Sequence, residues 1–264
     1  MDERARKIKE INKKRNERKR RKRKKLLARL FVFFIIVCII TLTVLSLTVF
    51  FPITKIVVRN PEPYSAEQII KASGIIKGQN LILAGKNAEA SIVTSLPYIS
   101  EIDISRKLPG TIYVTAKKAE IAACYKTDKG YLYCDKNTKL LEIKETEAED
   151  IITVVGCKFK NPKVGNLLEF ANEDAKNNAN LLLNTVKDKD YKVSLINVSD
   201  GVNLSFKIEN KYLVELGSAS QLDSKFAHLD EMLKNVNKDV SGIIDLSVWT
   251  SEEPRGIFKQ GVIE

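Results

Sequence analysis

The chain's hydrophobic pattern begins with one unbroken block. Residues 30–51 contain no Asp, Glu, Lys, Arg, Asn or Gln, and the only polar side chains in these 22 residues are Thr41, Thr43, Ser46 and Thr48. As a helix rising about 1.5 Å per residue, the block reaches about 33 Å, enough to cross a hydrocarbon core about 30 Å thick. A soluble helix shows a single apolar stripe, whereas this one is apolar all round. The pattern predicts a transmembrane helix. A cleaved signal would have an apolar region of about 7–15 residues ending in small residues. Here the block leaves through Phe50, Phe51 and Pro52, which predicts a retained anchor.

Beyond the block the periodicity shortens. A β-rich run at 53–58 ends at Asn60-Pro61-Glu62-Pro63. Ser65 with Gln68 forms a capping box for a helix whose face is Ala66, Ile69, Ile70 and Ser73, closed by Gly74. Asn87 is placed to cap a second helix through Ile92, Val93 and Leu96, stopped by Pro97. Ile102 and Ile104, then Ile112, Val114 and Ala116, alternate with polar residues on either side of Leu108-Pro109-Gly110, the pattern of a hairpin. The order is β-α-α-β-β, two helices on one face of a three-stranded sheet.

From residue 121 short strands dominate, expected at 121–126, 131–135, 140–143 and 151–156. A helix through Phe170, Ala171, Ala175, Leu182 and Val186 follows, then strands at 192–198, 202–208 and 211–216. Ser218 with Gln221 predicts the start of a second long helix with Leu222, Phe226, Leu229, Leu233 and Val236 on its apolar face. Residues 242–249 read as a strand, and 255–263 as a final short one. The fold class is α+β: one transmembrane helix, a β-α-α-β-β module, then a mixed β-domain with two long helices. The expected boundaries are a basic tail at 1–29, the span at 30–51, the first module at 52–120, the β-domain at 121–250 and a terminal strand at 251–264.

These elements carry a resemblance. Gly74-Ile75, Gly78-Gln79-Asn80-Leu81, Leu96-Pro97-Tyr98-Ile99 and Arg106-Lys107-Leu108-Pro109-Gly110-Thr111-Ile112, in that order just outside an anchor, resemble the POTRA module of the FtsQ/DivIB bacterial cell-division proteins. Tyr131-Leu132-Tyr133-Cys134-Asp135, Glu215-Leu216-Gly217 and Ile244-Asp245-Leu246 resemble that family's β-domain. Two stretches depart from it: Arg59-Asn60 stands for the usual Gly-Asn, and Lys117-Lys118-Ala119-Glu120-Ile121-Ala122 replaces Glu-x-x-Pro-Val-Ala. The resemblance implies a scaffold without enzymatic activity. It would gather FtsL-like and FtsB/DivIC-like single-span coiled-coil partners at the septum and so help control the septal peptidoglycan synthase.

Charge sets the orientation. Residues 1–30 hold 16 Lys/Arg and 4 Asp/Glu, a balance of +12, and the rest of the chain balances at −1. Positive flanks stay cytoplasmic, so the tail is expected inside and residues 52–264 outside. The run from Arg18 to Lys25 resembles a nucleic-acid patch, but beside a span its expected role is topology and contact with anionic headgroups, with no nucleic-acid partner.

Chemistry is sparse. The single histidine, His228, lies between Ala227 and Leu229 with no Asn or Asp motif around it, and there is no Ser-x-x-Lys, Gly-x-Ser-x-Gly, His-Glu-x-x-His or Walker loop. No catalytic, cofactor-binding or metal-ligating residue is expected. Two alternatives remain: a membrane-anchored cell-wall enzyme of unfamiliar type, and a POTRA-bearing transport component. The latter normally pairs with a membrane barrel. Of the four cysteines, Cys124 and Cys134 fall opposite one another if Asp128-Lys129-Gly130 is the loop between their strands. A one-residue change of register would put them on opposite faces as free thiols, the favoured reading.

Partner contact is expected at the end of the chain, where the last strands should form a sheet edge open to an added strand. In 242–249, Ile244, Leu246 and Val248 form the core face, and Ile243, Asp245, Ser247 and Trp249 the other. Arg255, Gly256, Ile257, Phe258 and Lys259 follow a turn, with Gly256 allowing close backbone approach and Ile257 and Phe258 as apolar anchors.

Overall fold

The computed structural model describes residues 24–27, 29–43, 51–189, 191–237, 239–250 and 252–262. Helix α1 (Lys24–Thr43) is exposed on every side, and its length and apolar character suit a single-pass membrane anchor. The Thr41 and Thr43 hydroxyls donate to the carbonyls of Val37 and Ile39 at 2.8 and 2.7 Å, so neither presents an unpaired donor to lipid. Part of the expected span, residues 44–50, and the tail up to residue 23 lie outside the described residues.

Strands β1 (Lys55–Arg59), β2 (Ile99–Lys107) and β3 (Thr111–Lys118) form a three-stranded sheet in the order β1-β3-β2. Between them come α2 (Ala66–Ser73) and α3 (Ala88–Ser95). The Ser65 capping box is complete: its hydroxyl accepts from Gln68 N–H, and Gln68 Oε1 accepts from Ser65 N–H at 2.8 Å. Gly74 closes α2 at φ 65°, in the left-handed region that glycine enters without steric cost. Asn87 precedes α3 but makes no side-chain cap bond, because its ψ of 7° is not the extended geometry a cap needs.

Two compact units divide the chain. The first comprises the residues up to Val57 with Ile76–Ala84 and Ser105–Tyr113. Within it, residues 51–53 lie along 78–81: Leu81 N–H donates to the Phe51 carbonyl, Ile53 N–H to Gln79 and Gly78 N–H to Ile53. A Cβ on Gly110 would sit 2.4 Å from the Pro52 carbonyl, so only glycine fits that turn. The Arg106 guanidinium donates to the carbonyls of Leu81 and Ala84 at 2.9 and 2.8 Å. The Gly-Gln-Asn-Leu and Arg-Lys-Leu-Pro-Gly stretches are therefore one interlocked structure.

The second unit holds α2, α3 and everything from Val114 onward. Its nine-stranded sheet comprises β4 (Ala123–Thr127), β5 (Gly130–Cys134), β6 (Leu140–Lys144), β7 (Thr153–Val155), β8 (Val193–Asn197), β9 (Leu204–Ile208), β10 (Tyr212–Gly217), β11 (Gly242–Asp245) and β12 (Ile257–Gln260). The order is β12-β11-β10-β9-β8-β7-β4-β5-β6. Helix α4 (Glu173–Asp188) links the parallel pair β7/β8, and α5 (Leu222–Asn235) links the parallel pair β10/β11. Both helices bury one face, Ala175, Ala179, Leu182, Leu183 and Val186 in α4 and Leu222, Phe226 and Leu229 in α5, in one core with the strands. Phe206 and Phe226 stack there with ring centroids 5.5 Å apart.

Two helix starts differ from the sequence reading. Helix α4 begins after Asn172, whose Oδ1 accepts from the N–H groups of Asp174 and Ala175. Phe170, expected inside the helix, instead bridges to Phe159 and joins the core. Helix α5 begins after Gln221, which takes φ 55° and makes no cap bond, so Ser218 lies too far upstream to form the expected box. Its first turn is held by Lys225 instead. That side chain is almost fully buried and donates to the carbonyls of Leu216 and Ser218 at 2.7 and 3.0 Å.

The hairpin of β4 and β5 corrects the cysteine pairing. Thr127 pairs with Gly130, so the loop is the two residues Asp128-Lys129, and every later pair moves by one. Cys124 opposes Tyr133, while Cys134 opposes Ala123. The two thiols therefore face opposite sides of the sheet and are free. Burial pushes both above the ordinary thiol range, and pushes Cys157 up to about 12.

Candidate partner-binding edge

Strand β12 is the outer strand at one end of the nine-stranded sheet. It pairs antiparallel with β11, Ile243 against Lys259, Ile244 against Phe258 and Asp245 against Ile257. Gly261 N–H donates to the Ser241 carbonyl at 3.1 Å, which fixes the alternation of the ladder. By that alternation Ile257 and Lys259 turn their backbone groups toward β11, while Phe258 and Gln260 turn theirs away from the sheet. The outward row is what an added strand pairs with.

Side chains alternate as well. Ile257 and Lys259 are exposed on the face they share with Ile243 and Asp245. Phe258 lies on the core side opposite the fully buried Ile244, and its ring meets Tyr212 edge-on at 6.4 Å. The two expected apolar anchors thus point to opposite faces of the strand.

Asp245 organises this end. Its Oδ1 accepts from the Ser247 N–H and hydroxyl at 3.0 and 2.6 Å, and Oδ2 lies 3.6 Å from Lys259 Nζ. Burial works to raise this carboxyl, but the Ser247 hydrogen bonds and the Lys259 cation together hold it below the usual range. The same Ser247 bonds end the strand at Asp245, four residues short of the expected 249. After the turn, Leu246 and Trp249 return to the core at a spacing of three rather than two, and Trp249 N–H donates to the Leu246 carbonyl. Trp249 is therefore a core residue, not part of an outward face, and Val248, expected inside, is half exposed.

The remaining residues of the expected site fall as follows. Arg255 is exposed and pairs with Glu253. A Cβ on Gly256 would lie 2.4 Å from Met232 Sδ, so its close backbone approach is to α5 of the same chain. The final strand is Ile257–Gln260, shorter than expected, and residues 263–264 lie outside the described residues.

The opposite edge, β6, is built differently. Leu140 donates its N–H to the Asn166 carbonyl, and its own carbonyl accepts from Gly165 N–H, both at 2.8 Å. A strap at 165–168 therefore closes the outer side of the strand's start. Gly165 sits at φ 92°, and a Cβ there would fall 2.1 Å from the Thr94 carbonyl. Beside the strap, the buried Lys139 donates to the carbonyls of Val93 and Ile99 at 2.6 and 2.7 Å. Burial lowers its pKa, partly offset by nearby Asp135. Sequence reading missed this lysine and Lys225 because a lysine is ordinarily a surface residue; only the flanking apolar residues at 140–141 signalled a buried setting.

Chemistry is not concentrated anywhere along these edges. Among the described residues no group of three or more His, Cys, Asp or Glu converges to hold a metal. His228 Nδ1 lies 3.8 Å from Glu231 on the same helix, an i,i+3 surface pair.

Comparison with known proteins agrees with the fold. Residues 51–117 match the family described as POTRA domain, FtsQ-type. A cell division protein DivIB from Clostridium tetani is 27% identical over 179 residues, covering 67% of each chain. The DivIB of Clostridium acetobutylicum is 26% identical over 210 residues, covering 79% of this chain and 84% of its own. A cell division protein FtsQ from Corynebacterium glutamicum is 25% identical over 177 residues, covering 64% and 72%. An apolar helix ahead of the POTRA sheet, the FtsQ-type POTRA match and relatives of both names covering 64–79% of the chain together support a place among the FtsQ/DivIB bacterial cell-division proteins.

Proposed function

We propose that the protein is a non-enzymatic scaffold of the division machinery. Its tail is cytoplasmic, residues 52–120 form the POTRA module and 121–250 the β-domain outside the membrane. The β-domain holds FtsB/DivIC-like and FtsL-like single-span partners at the septum, and through them the scaffold restrains or releases the septal peptidoglycan synthase. The observation that carries this reading is the bare β12 edge, where Phe258 and Gln260 direct their backbone groups outward. A short segment of the FtsB/DivIC-like partner adds there as a further strand, with Ile257 and Lys259 on one face of the contact and Ile243, Asp245 and Ser247 behind them on β11 and the turn after it. Arg255 lies at the strand's entry, while Gly256 and Trp249 support it from within.

The test is co-purification of the two small partners with the full-length protein and with a chain ending at Thr250. Capture by the first and not by the second is expected; equal capture by both removes this edge as the site. Orientation is read separately. A cysteine placed in the tail should resist an impermeant thiol reagent in intact cells, and one at Lys187 should label.

A further inference from the structure

The first compact unit carries a feature that strand addition at β12 leaves unused. Outside helix α1, four large apolar side chains stand exposed there among the described residues: Ile76 (64%), Ile82 (47%), Leu83 (54%) and Leu108 (64%). All four belong to the two segments that interlock with residues 51–54. Leu81, next to Ile82, donates its N–H to the carbonyl of Phe51, the last residue of the apolar block. Gly110, two residues after Leu108, packs on Pro52 and Thr54. The exposed apolar positions are thus tied by hydrogen bonds to the point where the chain leaves the lipid.

Charge points the same way. Segments 51–57, 76–84 and 105–113 contain Lys55, Lys77, Arg106 and Lys107 and no Asp or Glu. Segments that carry exposed apolar side chains together with cations and no carboxylate have the composition of an element lying in the interface of an anionic bilayer. A protein partner would more often present mixed charge at the rim.

We propose that this end of the POTRA sheet rests in the interfacial layer of the bilayer crossed by its own anchor. Ile82, Leu83 and Leu108 enter the boundary between headgroups and acyl chains, about 5–10 Å deep, with Ile76 beside them. Lys55, Lys77 and Lys107 lie over anionic headgroups. Arg106 holds the two segments in register through Leu81 and Ala84. The lipid contact would fix the height of the module above the membrane, which a simple tether would leave free.

The experiment uses the full-length chain with Cys38→Ala; Cys124, Cys134 and Cys157 are buried and resist labelling. Single cysteines at Leu83, at Leu108 and, as control, at Leu181 on α4 carry an environment-sensitive nitrobenzoxadiazole dye. Each protein is reconstituted at high lipid-to-protein ratio in phosphatidylglycerol–phosphatidylcholine vesicles containing nitroxide lipids. The quencher occupies both leaflets, so the outcome does not depend on the direction of insertion. The expected result is blue-shifted emission and strong quenching at Leu83 and Leu108, deepest with the nitroxide near the headgroup boundary, and neither effect at Leu181. Emission and quenching at Leu83 and Leu108 equal to those at Leu181 would overturn the proposal. So would shielding from aqueous iodide that disappears on dilution with lipid, which would assign the patch to a second copy of the chain.

Discussion

The two ends of the nine-stranded sheet solve the same problem differently. At β6 the outer backbone groups of Leu140 are taken up by Asn166 and Gly165, and Leu140 and Leu141 are buried. At β12 the strand is four residues long, mostly exposed, and its outward groups meet no strand. A bare edge invites unwanted pairing, and proteins normally shorten, charge or cover it. This chain covers the start of one edge and leaves the other short and bare, with Lys259 on it. The asymmetry is what the proposed strand addition at β12 rests on.

Removing the cover should have the largest effect. Gly165→Ala places a Cβ against the Thr94 carbonyl at a φ that only glycine takes easily, so the strap must leave Leu140. A loss of about 3 kcal/mol in urea unfolding of residues 52–264 is expected, with concentration-dependent association once the β6 edge opens. Unchanged stability would mean that the strap is not what protects that side.

On the bare side the effect should appear in binding rather than folding. Phe258→Pro removes one outward N–H, worth about 0.5–1.5 kcal/mol, and should weaken partner capture by up to about tenfold. Phe258→Ala keeps that donor and loses the Tyr212 ring contact, so it should lower stability while binding changes less. Equal binding losses for the two variants would shift the contact from main chain to side chain.

A smaller effect concerns Asp245. Its folded pKa lies below the unfolded value of about 3.9, so its contribution is fully present above that pH and is lost as pH falls through the folded value. Wild type should therefore lose stability below about pH 4 relative to Asp245→Asn. At neutral pH the variant should cost about 1 kcal/mol or less, since Lys259 is largely exposed. Parallel acid-unfolding curves for the two proteins would contradict this. The smallest expected effect is none. Mass spectrometry of unreduced protein should find Cys124 and Cys134 as thiols, because they project from opposite faces.

What was legible in the sequence follows from what periodicity can encode. Alternation in Ile112, Val114 and Ala116, the Ser65–Gln68 box and the apolar stripe of α5 are local, and each appears in the fold. The register of β4 and β5 was not, because Gly130 serves equally as the last loop residue or the first strand residue, and one step reverses every side chain. The end of β11 was missed because Ser247 captures Asp245 and converts a period of two into a turn. At the candidate site, the edge position was legible from chain order, whereas the inward roles of Gly256 and Trp249 depend on α5 and the core packing around them.

Lys139 bears on how the chain can be dissected. Helix α3 has eight residues, no side-chain cap at its start and no basic residue in its last turn. A helix that short does not stand alone in water. One of its open terminal carbonyls, that of Val93, receives the ammonium of a lysine 46 positions further along. The helix is thus finished by a residue from the turn between β5 and β6. A fragment ending at residue 117, where the POTRA match stops, retains every residue of α3 and lacks the group that closes it. The donor that closes α3 therefore lies outside the stretch that matches the POTRA family, so a cut made at the end of that match leaves the Val93 carbonyl without it.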